Sequence, residues 1–135
     1  MKRDIFFSII IFNLCVCPCI SQYLPINPDD IIGKWKLVKT EIGNTRYGKE
    51  IKIYSTVDVV LEFMQCDNVT IHCLREDKNC KWRVGNFFYC LYVNEYNRIE
   101  LEIIGYNTWW IILSGKEFIL DKSYCDGHKY YFEKF

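Results

Sequence analysis

The chain has 135 residues, 17 of them Lys or Arg and 17 Asp or Glu, so its formal charge is zero. With acids interleaved among the bases, it lacks the concentrated basic surface that phosphate binding requires, which excludes a nucleic-acid partner. Half of the residues are hydrophobic and 17% are aromatic, which suffices for one packed core in one domain of this length.

The first residues read as a signal peptide. Met1-Lys2-Arg3 is a basic start, and the apolar run from Ile5 to Ile20 is broken by Ser8, Asn13 and Pro18. Cys19 and Ser21 suit the third and first positions before a cleavage site. So interrupted a run does not make a membrane helix, and no second apolar span follows. Residues 1–21 are therefore expected to be removed, leaving 22–135 as one secreted or periplasmic domain without a membrane span.

After an extended lead-in, Asn27 to Ile32 can form a single helical turn, with Pro28 early and acids at its start. From Ile31 onward the pattern has period two. Lys34 to Thr40 places Trp35 and Leu37 on one face and Lys34 and Lys36 on the other, and Glu41 to Gly48 reads as a polar connection. Glu50 to Tyr54 follows, then Val57 to Phe63, whose Val57, Val59, Leu61 and Phe63 face one way while Asp58 and Glu62 face the other. Asn68 to Leu74 and Cys80 to Val84 flank the charged turn Arg75 to Asn79 as a hairpin, with Trp82 inward. Phe87 to Val93 is apolar on both faces.

Arg98 to Ile104 points Ile99, Leu101 and Ile103 inward. Turns at Gly105 to Asn107, Ser114-Gly115 and Cys125 to Gly127 separate Thr108 to Leu113, Glu117 to Asp121 and His128 to Lys134. The Trp109-Trp110 pair does not reveal which ring points inward. Short strands at regular turn spacing, with no ordinary helix, predict an all-β antiparallel up-and-down barrel, or a sandwich.

Ile31-Ile32-Gly33-Lys34-Trp35-Lys36-Leu37-Val38 resembles the first-strand signature of small secreted bacterial lipocalin-like (calycin) proteins. The segments Trp110 to Leu120 and Gly127 to Lys134 resemble that family's closing strands. The resemblance implies a barrel of about eight strands with Gly33 and Trp35 as a structural plug at its closed end, and an interior that cups a small apolar ligand. In larger lipocalins an arginine near the end of the last strand packs over the tryptophan. This chain has Lys129 and Lys134 there instead, and it lacks the T-D-Y-type motif.

The candidate ligand-binding interior is Leu37, Val59, Leu61, Phe63, Trp82, Leu101, Ile103, Trp109, Ile111, Tyr130 and Phe132. These residues either line an open cup or fill a solid core. Cys66, Cys73, Cys80, Cys90 and Cys125 are disulfide candidates in an oxidising compartment, with a Cys73–Cys80 bridge across the charged turn, one further bond and one free thiol. Their spacing contains no C-x-x-C pair, and no metal site or cofactor is expected. Asn68-Val69-Thr70 is a glycosylation sequon if the source is eukaryotic.

His72 and His128, on separate strands, read as outward surface residues. With no nucleophile elbow and no converging acid and base, the chain is not expected to be an enzyme. Two functions remain: a secreted carrier or sequestering protein for a small hydrophobic ligand, or a solid barrel that binds a protein partner as an inhibitor or effector. The segments Glu41 to Gly48 and Leu74 to Cys80 are the expected contact loops for the second.

Overall fold

The structure, a computed structural model, describes residues 26–45, 48–74 and 81–135. The expected signal peptide, the Arg75 to Asn79 turn and Cys80 lie outside these residues. Among the described residues a 3-10 turn, Pro28–Ile31, leads into nine strands. They are β1 (Gly33–Thr45), β2 (Gly48–Ile53), β3 (Val59–Met64), β4 (Asn68–Cys73), β5 (Gly85–Val93), β6 (Ile99–Ile103), β7 (Asn107–Ser114), β8 (Glu117–Lys122) and β9 (His128–Lys134).

Each of β3 to β9 pairs antiparallel with its neighbour in sequence. β1 closes the sheet by pairing with β3 through Gly33 to Lys36 and with β9 from Trp35 to Ile42. The result is a closed eight-stranded barrel with β2 as an extra strand on the upper half of β1. A bulge between Leu37 and Lys39 shifts the alternation by one residue, so Leu37 and Thr40 are both buried on the inner side.

Two sequence-based expectations change. Glu41 to Thr45 is not a connection: it continues β1, whose last residues pair with β2. Its polar composition reflects half-buried positions rather than a loop: Glu41 and Ile42 pair with β2 on one side and with β9 on the other. Residues 81–84 are irregular rather than a strand, because this segment turns across the barrel mouth instead of joining the ladder.

The lower end is closed around Trp35, which is fully buried. Asn27 caps the 3-10 turn by accepting the Asp29 N–H at 3.0 Å, and the turn presents the Ile31 carbonyl to Trp35 Nε1 at 2.8 Å. Lys134, from the end of β9, sits 4.5 Å above the Trp35 ring and donates to the Ile32 carbonyl at 2.8 Å. The lysine thus makes the cation and ring contact for which larger lipocalins use arginine.

Gly33 makes room for it. Its φ is +126°, and a Cβ there would lie 2.8 Å from Lys134 Nζ. Any side chain would therefore be strained and would displace the lysine.

Gly33→Ala is expected to lower stability by about 1 to 3 kcal/mol in urea unfolding. Lys134→Met should cost about 1 to 2 kcal/mol, with Lys134→Arg close to the native midpoint. Equal midpoints for the native protein and Lys134→Met would show that the cation plays no part in the plug.

Candidate functional site

The predicted interior residues come together. Leu37, Val59, Leu61, Phe63, Leu101, Ile103, Trp109, Ile111 and Phe132 are each at most 5% exposed. Trp82 and Tyr130 are half-buried against them. Val69, Ile71, Tyr89, Phe118 and Leu120 complete the core, although the sequence reading did not single them out. Their signal was present as alternation in Val69 to Cys73 and Phe118 to Leu120.

Among the described residues these side chains stack ring on ring through the interior. Trp35 meets Phe118 at 5.4 Å, Phe118 meets Phe132 at 5.8 Å, and Phe132 meets Trp82 at 5.8 Å between ring centroids. A column of rings therefore runs from the lower plug to the mouth. Phe63 adds edge contacts to Phe118 and Tyr89.

Trp82 closes the upper end. It stacks on Trp109 at 5.8 Å and meets Tyr130 edge-on at 5.1 Å. Arg83 anchors the segment by donating to the Gly105 carbonyl at 2.9 Å and lying over the Tyr106 ring. Trp82 is inward, as its sequence suggested, but it enters from an irregular segment at the mouth.

Between Trp82 and the upper part of β1 and β2 lies a cleft of about 150 Å³ that reaches Leu37 and Val59 of the interior. Tyr54, Trp82 and Tyr130 supply aromatic surface to it, and Lys52, Asp58, Lys81 and His128 supply charge or polarity. Thr40, buried in its wall, pairs its hydroxyl with that of Tyr54 at 3.1 Å. His128 therefore does not face outward as expected: it lines the mouth, stacked on Tyr130 and 3.2 Å from Asp126. It shares the parity of Tyr130 and Phe132 along β9, which is what turns it inward. His72 stays on the outer side, 3.3 Å from Glu62.

A broader hollow beside the 3-10 turn, about 580 Å³ and lined by Ile26, Asn27, Asp29, Asp30, Leu113, Gly115 and Lys134, lies outside the barrel and is open to solvent. Among the described residues no group of His, Cys, Asp and Glu could hold a metal ion, and no helix is long and apolar enough to cross a membrane.

The cysteines behave differently from one another. Cys66 and Cys125 are exposed free thiols in separate turns and do not form the expected second bond with one another, while Cys90, on β5, has its thiol 3.9 Å from a Glu102 carboxylate oxygen. Cys73 is disulfide-bonded. Asn68 opens β4, half-buried, with its amide donating to the Cys66 carbonyl at 3.0 Å.

The outer wall carries a second aromatic group. Trp109 points inward and Trp110 outward, where Trp110 stacks on Tyr124 at 4.2 Å with Arg98 4.8 Å over its ring. Tyr96 and Ile112 lie on the same side and are exposed. The run Thr108 to Leu113 is apolar on both faces because one face packs the core and the other forms this patch.

Family models, curated proteins and solved structures compared with the chain yield no match. The architecture itself is compatible with a calycin-like fold.

Burial pushes the phenols of Tyr89 and Tyr130 from their ordinary value of 10 up to about 12, with nearby carboxylates adding to the effect. The folded protein keeps protons that the unfolded chain releases near pH 10. This contribution to stability is complete below pH 10 and is lost as pH rises through about 12. Urea midpoints should be flat up to about pH 9.5 and then fall; midpoints unchanged at pH 11.5 would contradict the buried phenols. Trp82→Ala should cost about 2 to 4 kcal/mol and open the mouth, so that anilinonaphthalene sulfonate binds saturably to the variant and not to the native protein.

Proposed function

We propose that the protein is a secreted lipocalin-like barrel with a solid interior that acts as a protein-interaction module through its outer surface. The observation that carries this reading is the continuous ring column from Trp35 to Trp82. A pocket for a drug-sized or lipid ligand needs about 300 Å³ or more, twice the volume of the mouth cleft. The first-strand and closing-strand resemblance, together with the plug of Gly33, Trp35 and Lys134, supports the lipocalin-like assignment.

The contact surface is the patch of Tyr96, Arg98, Trp110, Ile112 and Tyr124. Trp, Tyr and Arg are the residue types that dominate binding energy at protein interfaces. Rings already stacked in the free protein lose little freedom on binding. The pairing proposed for Cys73 is with Cys80, across the charged turn in the sequence; peptide mapping without reduction would find that bridge.

A second reading rests on the mouth cleft alone. Its volume of about 150 Å³ is that of a cavity able to take a benzene-sized ligand. Three rings beside Lys52, Lys81 and His128 suit a small planar acid rather than a lipid.

The interaction reading is tested by capture from the surroundings into which the protein is secreted, comparing the native protein with Trp110→Ser/Tyr124→Ser. Binding to the captured partner should weaken by about 100-fold or more, with far-ultraviolet circular dichroism unchanged. Equal capture by both would remove the patch from the account.

A further inference from the structure

β2 lies outside the closed barrel, and among the described residues it pairs with β1 alone. All six of its residues are exposed, including Ile51 at 53% and Ile53 at 75%. A strand of this kind offers a row of backbone groups to another strand.

The direction of those groups follows from one hydrogen bond. Tyr54 N–H donates to the Val38 carbonyl at 3.0 Å, one step beyond the Lys39 and Ile53 pair and two beyond the Thr40 and Lys52 pair. In an antiparallel ladder, residues alternate between exchanging bonds with the partner strand and turning their N–H and C=O away from it. Lys52 and Glu50 therefore bond to β1, while Ile51 and Ile53 turn their backbone groups to the open edge.

A second copy meeting this edge pairs antiparallel about a two-fold axis. The axis falls on a residue, because outward groups must meet outward groups. Axes on Lys49, Glu50 or Lys52 set like charges face to face, which is destabilising. An axis on Ile53 runs the pair into Tyr54 and Ser55, past the end of the strand. An axis on Ile51 sets Ile51 against its own counterpart and places Glu50 of each copy opposite Lys52 of the other. Lysines on an edge commonly prevent pairing. Here the sequence Glu50-Ile51-Lys52 makes the charges complementary in that one register, and Lys49 already has Glu41 at 3.6 Å.

We infer that β2 pairs with β2 of a second copy, antiparallel and centred on Ile51, giving a two-fold dimer joined by a continuous sheet. This contact is independent of the Trp110 patch, and it shares Lys52 with the mouth cleft.

Sedimentation velocity over micromolar to submillimolar concentrations tests it, on a Cys66→Ser/Cys125→Ser background so that exposed thiols cannot cross-link the copies. The background protein should form dimers. Glu50→Lys and Lys52→Glu, each placing like charges opposite, should weaken the dimer on the order of tenfold or more. The double swap Glu50→Lys/Lys52→Glu restores the complementarity and should restore the dimer. Ile51→Pro removes an outward N–H without touching the β1 ladder and should yield monomer with unchanged circular dichroism.

A background protein that stays monomeric throughout overturns the proposal, as do single reversals that dimerise like it or a double swap that does not recover. A dimer that survives Ile51→Pro but is lost in Trp110→Ser places the contact on β7 and also overturns it.

Discussion

An eight-stranded barrel has an interior just wide enough for side chains to fill it, and the size of the inward residues decides whether it becomes a cup or a core. This chain places Trp35, Phe118, Phe132 and Trp82 in successive contact along the interior. Rings of that size span the cross-section, so the space available to a ligand shrinks to the margin beside Trp82. The proposed function accordingly uses the outer wall and the mouth. The strands there are free to carry side chains that the fold does not require, such as Trp110 and the whole of β2.

The two ends are closed by different means. At the lower end Trp35 is held by a backbone carbonyl on one edge and a lysine on one face, and Gly33 is the residue whose missing side chain lets the lysine pass. The contact joins the start of β1 to the end of β9, the seam at which the barrel shuts. At the upper end Trp82 comes from an irregular segment and is held by Arg83 against Gly105 and Tyr106. A closure made from an irregular segment can be opened at less cost than one made from paired strands. The mouth is accordingly the end where a small ligand could enter.

The barrel class was legible because burial on one face imposes period two, as in Val59, Leu61 and Phe63. Trp35 as a plug was legible from the family-like first strand, but its cation was not. Lysines at 129 and 134 look alike in sequence, and only strand register decides which one reaches the ring. The end of β1 lacks a legible alternation because Glu41 to Gly43 are all half-buried, although Glu41 and Ile42 pair with both β2 and β9. His128 was misplaced for the opposite reason: inner positions near a mouth are wet enough to tolerate a polar group. The orientation of Trp109 and Trp110 required the structure, since a run apolar on both faces has no periodicity to read.

The central claim, that the interior is occupied by the protein's own rings, is tested most directly by native mass spectrometry. The protein would be taken from the cells that produce it and purified without detergent or organic solvent. The account predicts the mass of the polypeptide alone, with no lipid or other apolar molecule retained. A stoichiometric apolar adduct that survives purification and is released on unfolding would contradict it.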